Sequence, residues 1–330
     1  MMTKKLEKMT YEDFQALFPE GISGNDINGL GVAEKSLPQP FFWHPADRQP
    51  FHKLQQAVID YQRQIPQIAA SYSRDAPRGP RPIEKKQCPE IRSPQDWALR
   101  VKEFGRNHEA DLVGITPLKP EYIYEGYEIA LPNLIMIGVA MDYDKFSAAP
   151  SSLENYTSAL EVADKYNTTA RAAREIGNMI LAAGFNMKTF PGPMATALNM
   201  IPAAIEAGLG ELGKHGNMIN QEFGSNFRLS AVATDMPLAF DQRSIFGADD
   251  FCQSCQICTK ACPPDAIFSE KQIVRGNLKW YVDFDKCIPY FGEALSCGIC
   301  MAKCPWSLPG TAPKLAARMT RRKTRLSNAS

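Results

Sequence analysis

Eight of the nine cysteines in this 330-residue chain fall between Cys252 and Cys304, and any fold it adopts has to gather them. The first four, in FCQSCQICTKACPPDAI, keep the rhythm Cys-x2-Cys-x2-Cys-x3-Cys-Pro: Cys252, Cys255, Cys258 and Cys262, followed by Pro263. The second group, Cys287, Cys297, Cys300 and Cys304, ends in CGICMAKCPW and repeats the latter half of that rhythm. Three closely spaced thiolates cap one face of an iron-sulfur cube, and the fourth cysteine of such a run points away to a second cube. The spacing therefore predicts two [4Fe-4S] clusters, one on Cys252, Cys255, Cys258 and Cys304, the other on Cys262, Cys287, Cys297 and Cys300. A pair of zinc sites also uses four thiolates each, but the tight triad followed by Cys-Pro favours the cubes. Disulfides are not expected of a cysteine-dense stretch in a reduced cytosolic chain. Cys88, alone in KKQCPEI, reads as a plain thiol.

Composition narrows the partners. A formal net charge of +1, with 44% hydrophobic and 22% charged residues, is ordinary for a globular protein and excludes a general polyanion-binding surface. Nucleic acid is not an expected partner. The opening MMTKKLEKMTYEDFQALFPEG has no apolar core behind its lysines and no paired arginines, so an export signal is not expected and a cytoplasmic location is. No stable membrane span is expected either. The most apolar run, Ala130 to Met141, is too short for one and reads as a buried strand. The four histidines (His44, His52, His108 and His215) show no paired metal spacing. GLGELG does not follow a strand in a βαβ unit, so it is no dinucleotide fingerprint.

The chain divides into four parts. Residues 1–92 are proline-rich, with one helical piece near Lys53 to Ile65 that Pro66 would stop, and read as a wrap around something else. Residues 93–245 alternate helices with buried strands: a helix opening at SPQDW, the strand ADLVGITPL, the strand PNLIMIGVAMDYD, one long helix or two ending at Gly184, a helix in MATALNMIPAAIEAGLGELG, and the strand FRLSAVATDMPL. That is an α/β or α+β core. Residues 246–310 form the two-cluster ferredoxin-like module, and 311–330 a basic tail expected to be solvated and disordered.

The order of ADLVGITPL, DYDKFSAAPS, KYNTTARAAREIGNMILAAGF, AAIEAGLGELGKHGNMINQEFGSNFRLSAVATDMPL and the cysteine module resembles the reductive dehalogenases, and more distantly epoxyqueuosine reductase. The resemblance implies an α+β fold with a cobalamin-binding, nitroreductase-like core and a corrinoid buried close to one cluster. It implies that Tyr166 delivers a proton as halide leaves, that Arg228 stands beside it, and that Asn199 lines the pocket. A neighbouring guanidinium favours the phenolate, which makes the phenolic proton easier to give up near neutrality. Trp43, Trp97, Trp280 and Trp306 are candidates for aromatic walls.

The expected partners are then a small organohalide, with an aryl halide preferred by analogy, and a low-potential donor such as ferredoxin or flavodoxin. An alternative from another class is an electron-transfer or corrinoid-reducing iron-sulfur protein without substrate chemistry. An epoxyqueuosine reductase-like enzyme would instead require an acidic proton donor and a helical-repeat region, which is not expected after Cys304.

Overall fold

The computed structural model describes residues 7–192 and 197–327. Its strands, in chain order, are β1 (Leu112–Pro117), β2 (Asn133–Ala140), β3 (Met187–Phe190), β4 (Glu211–Leu212), β5 (Met218–Ile219), β6 (Phe227–Thr234), β7 (Gln272–Val274) and β8 (Asn277–Lys279). Four of them make the central sheet, in the order β1-β2-β6-β3. Every neighbouring pair in it is antiparallel, with β2 and β6 in register from Asn133 opposite Thr234 to Ala140 opposite Phe227.

Strand β2, NLIMIGVA, is apolar throughout because both faces of the sheet are covered. Successive side chains point to opposite faces of a strand. Ile135 and Ile137 meet Trp97 and Val101 of the helix Pro94–Arg106 and Ile176 and Ile180 of the helix Thr157–Ala182. Leu134 and Met136 meet Ala203 and Ala204 of the helix Met200–Glu206 on the other side. An unbroken apolar run commonly marks a parallel sheet; here it marks an antiparallel one, so the core is α+β.

Local signals set the helix boundaries. The Ser93 hydroxyl accepts the Asp96 N–H and caps the helix that Pro94 begins. Residues 157–182 form one helix of 26 residues, and Gly184 closes the turn after it at φ +92°, a left-handed value that glycine takes without strain. In MATALNMIPAAIEAGLGELG only Met200–Glu206 is helical; residues 194–196 lie outside the described residues. Strand β3, MKTF, has too little alternation to be read from sequence and is identified by its pairing with β6.

Residues 7–92 do not form a separate core. Phe14, Phe51, Leu54, Val58 and Tyr61 pack on Phe284, Ile288 and Leu295 of the cysteine module. Asn25 donates to Asp283, and the Gly24 N–H donates to Asp285, both at 2.8 Å. The basic tail departs from expectation: Ala312–Ser327 is a helix whose Ala312, Ala316 and Met319 pack against Phe246 and Trp306. Those residues stand at helical spacing, an apolar stripe that the abundance of arginine concealed.

One buried carboxylate fastens the module to the core. Glu211, on β4, accepts the backbone N–H groups of Phe246, Gly247 and Ala248 at 2.8–2.9 Å. These are the donors at the start of the helix Ala248–Ser254, which carries Cys252 and whose first N–H groups have no partner within the helix. GLGELG is thus the clamp on the first cysteine helix. Replacing Glu211 with alanine leaves those buried donors unpaired and is expected to lower stability by about 2–4 kcal/mol. Glu211→Gln, which keeps an acceptor, should lose less than half as much in urea denaturation of the reconstituted protein.

Candidate active site and cluster sites

Four short helices, Ala248–Ser254, Ile257–Ala261, Phe284–Glu293 and Ile299–Ala302, carry Cys252, Cys258, Cys287 and Cys300. Their ends bring in the other four cysteines. The eight thiols fall into two groups by the charges they would feel: Cys304 faces Cys252, Cys258 and Cys255, while Cys287 faces Cys297 and Cys262. Cys300 joins the second group and lies also within reach of Cys258, so the groups adjoin. Burial pushes the thiols of Cys252, Cys287 and Cys304 up to about 12 and that of Cys297 up to about 11. Neighbouring thiols push in the same direction, and Cys300 stands well above its ordinary value. Four thiolates held this way need a positively charged core between them.

The surrounding backbone is arranged for sulfur anions. The Cys262 sulfur accepts N–H groups of Ala266, Ile267 and Asp265, Cys297 those of Ile299 and Gly298, and Cys304 that of Trp306. Leu295, Ser296, Cys297 and Gly298 all have positive φ, so the chain curls to aim successive N–H groups inward. Among the described residues, no three His, Cys, Asp or Glu side chains close round a point as the ligands of a single metal ion do.

Beside the second group lie three joined cavities. The first, about 260 Å³, is lined by Trp43, His44, Tyr124, Tyr166, Asn199, Arg228 and Met301, among others. The second, about 400 Å³, shares Trp43, Tyr166, Gly192 and Arg228 with it and extends to Tyr72, Arg78, Phe291 and Ser296. A third, about 620 Å³, shares Asn199 and Ile201 with the first. Single ligand pockets usually span about 300–1,000 Å³, and the first of these shares lining residues with each of the other two.

Tyr166 and Arg228 stand together where the first two cavities meet. Ser230, two residues from Arg228 on β6, donates to the Thr169 carbonyl at 2.9 Å, and the Thr169 hydroxyl donates to the Tyr166 carbonyl at 3.0 Å. Two strand residues and three helix residues cover comparable lengths, about 7 and 5 Å, so this anchor sets Arg228 opposite Tyr166. The guanidinium carbon lies 5.5 Å from the Tyr166 ring centre. Arg228 Nε is buried without a hydrogen-bond partner among the described residues. Tyr166 and Cys300 pack against the same apolar cluster, which contains Met301 and Ala302. The tyrosine therefore adjoins the second group of thiols.

Several wall residues carry no sequence signal of their own. His44 sits 4.6 Å from the Tyr124 ring, and burial, then the nearby Arg48, lowers its pKa to about 4, so it is neutral. His215 is buried with its pKa lowered to about 4. Its Nδ1 accepts the Asn217 N–H at 3.2 Å, so Nε2 carries the proton and donates to Ser225 at 3.0 Å. Trp43 takes φ +62°, a strained value for tryptophan, and lines two cavities. Trp280 lines the third cavity, whereas Trp97 lies in the core beneath the sheet and Trp306 beside Phe246. Burial raises the Tyr72 phenol, with Tyr166 adding to the effect.

A variant series tests the thiol groups. Cys258→Ser and Cys287→Ser should each remove one cluster, taking iron from about eight to about four per chain, while Cys88→Ser leaves it unchanged. Equal iron in all three variants would contradict the grouping.

Comparison with known proteins accords with this geometry. A family model described as a 4Fe-4S dicluster domain matches residues 251–308. Tetrachloroethene reductive dehalogenase of Sulfurospirillum multivorans is 29% identical over 267 residues, covering 66% of this chain and 52% of its own length. Epoxyqueuosine reductase of Cyclobacterium marinum is 34% identical over 121 residues, 32% of this chain and 35% of its own. A solved reductive dehalogenase, described with a mechanism for B12-dependent dehalogenation, shares the fold with TM-score 0.67 at 22% identity, covering 84% of this chain and 42% of that one. The chain spans about half the length of the Sulfurospirillum relative. The chain is thus similar in sequence and in fold to reductive dehalogenases.

Proposed function

We propose that the chain is a corrinoid- and iron-sulfur-dependent reductive dehalogenase, with Cys252, Cys255, Cys258 and Cys304 holding one [4Fe-4S] cluster and Cys262, Cys287, Cys297 and Cys300 the other. The observation that carries this is the meeting of Tyr166 and Arg228 at the junction of two cavities, against the apolar cluster shared with Cys300. The α+β core is read as nitroreductase-like, with the three joined cavities as the seat of the corrinoid. When bound, that group supplies a low-valent cobalt able to break a carbon–halogen bond.

The residues supply the rest. Tyr166 gives its phenolic proton to carbon as halide departs, and Arg228 stabilises the phenolate left behind. Phe42, Trp43, Tyr124 and Phe227 form aromatic walls that exclude water and suit an aryl halide. Asn199, where the first and third cavities join, orients the guest. When bound, the clusters on the two quartets would supply electron relay, the quartet of Cys252, Cys255, Cys258 and Cys304 on the donor side and the other beside Tyr166; a ferredoxin or flavodoxin would suit as donor. Eight thiols kept available for iron suit a reducing compartment such as the cytoplasm. No helix among the described residues is long and apolar enough to cross a membrane.

The test is Tyr166→Phe in protein reconstituted anaerobically with iron, sulfide and cobalamin, assayed for bromide release from a bromophenol under a reduced viologen donor. Turnover should fall about 10²–10⁴-fold, the usual worth of a positioned proton donor, with cluster absorbance intact. Undiminished release would remove Tyr166 from the chemistry. Clusters that assemble but support no release in the parent protein would favour an electron-transfer role.

A further inference from the structure

Lys214 is 1% exposed, yet among the described residues no carboxylate pairs with it. Its ammonium donates one hydrogen bond, to the Ser269 carbonyl at 2.8 Å, and lies 4.8 Å from the centre of the Trp280 ring. The nearby carboxylate, Asp249, is already engaged by Lys271 at 2.7 Å and by the Trp280 indole N–H at 2.7 Å. A buried charge without a counter-ion is costly. The groups it does face are sulfurs: the Lys214 backbone N–H donates to Cys252, and its charge acts on Cys252 and Cys258.

The other quartet has the opposite surroundings. Cys262 faces Asp265, and Cys287 faces Asp283. The cation near them, Lys286, is exposed, and its ammonium reaches only the Asp265 carbonyl, at 3.5 Å. The eight cysteines repeat one motif, but a buried cation acts on two sulfurs of one quartet and two carboxylates on sulfurs of the other.

A [4Fe-4S] cluster with its four thiolates is an anion that becomes more negative when it takes an electron. Net charge and hydrogen bonds to the sulfurs set its potential within a wide range, and opposite charges interact more strongly where water is excluded. We propose that Lys214 is a positioning residue for electrons, holding the cluster on Cys252, Cys255, Cys258 and Cys304 at a higher reduction potential than the cluster on Cys262, Cys287, Cys297 and Cys300. An electron from the donor then settles first on the lysine-facing cluster. The cluster beside Tyr166 is the stronger reductant and fills second. This rests on the reading that both quartets hold [4Fe-4S] clusters.

The test is a redox titration followed by electron paramagnetic resonance on the full chain, reconstituted with iron and sulfide. Two one-electron waves are expected, and Cys255→Ser should abolish the higher. Lys214→Met should move that wave to more negative potential and leave the other in place, while Lys214→Arg, which keeps the charge, should hold it near its original value. Coincident waves, loss of the lower wave in Cys255→Ser, or no movement in Lys214→Met would overturn the proposal. Should Lys214→Met fail to assemble, the parent and Cys255→Ser titrations decide it alone. Absence of about eight irons per chain in the parent would instead remove the cluster reading, and the proposal with it.

Discussion

Eight sulfur anions packed into a water-poor interior repel one another, and much of the fold answers that repulsion. Burial and crowding raise the thiols of Cys252, Cys287, Cys300 and Cys304 above their ordinary range, so holding them as thiolates takes positive charge between them. The protein adds what a cluster leaves uncompensated: backbone N–H groups from a curled segment of positive φ, and one buried ammonium at Lys214. Holding that arrangement takes elements from the whole chain. Residues 7–92 cover the helix bearing Cys287, the C-terminal helix covers Trp306, and Glu211 ties the helix of Cys252 to the core.

The sheet sets a second arrangement, that of Tyr166, the proposed proton donor, and Arg228. Phenol and guanidinium come from elements 62 residues apart, on the long helix and β6, and one side-chain hydrogen bond fixes their mutual setting. The same helix buries its other face against the sheet, so Tyr166 sits on a rigid element, as a precise donor must. Tyr166 and Cys300 pack against one apolar cluster that includes Met301 and Ala302. The proposed electron and proton sources thus flank the same cavities, which Phe42, Trp43 and His44 of the N-terminal segment also line.

Parts of this were legible in the sequence for identifiable reasons. The cysteine rhythm specifies local geometry, since x2 and x3 spacings leave few ways to present sulfur. Ser93-Pro94, Gly184 and the apolar run through β2 each state a boundary by capping, backbone freedom or burial. Sheet direction was not legible, because a strand buried on both faces reads alike in parallel and antiparallel surroundings. Strand β3 was too short to show a pattern, and the C-terminal helix hid an apolar stripe under arginines. His44, Tyr124 and Lys214 gained their places through tertiary packing: a lone histidine or a lysine in GLGELGKHG announces neither a cavity wall nor a buried charge until the chain has folded around it.

The central claim is that the joined cavities beside the Cys262 quartet seat a corrinoid within reach of the clusters. It is tested most directly by reconstituting the chain anaerobically with iron and sulfide, adding cobalamin, removing the excess by gel filtration, and measuring both metals. The account predicts about one cobalt retained for about eight irons. Full iron with no retained cobalt would contradict it.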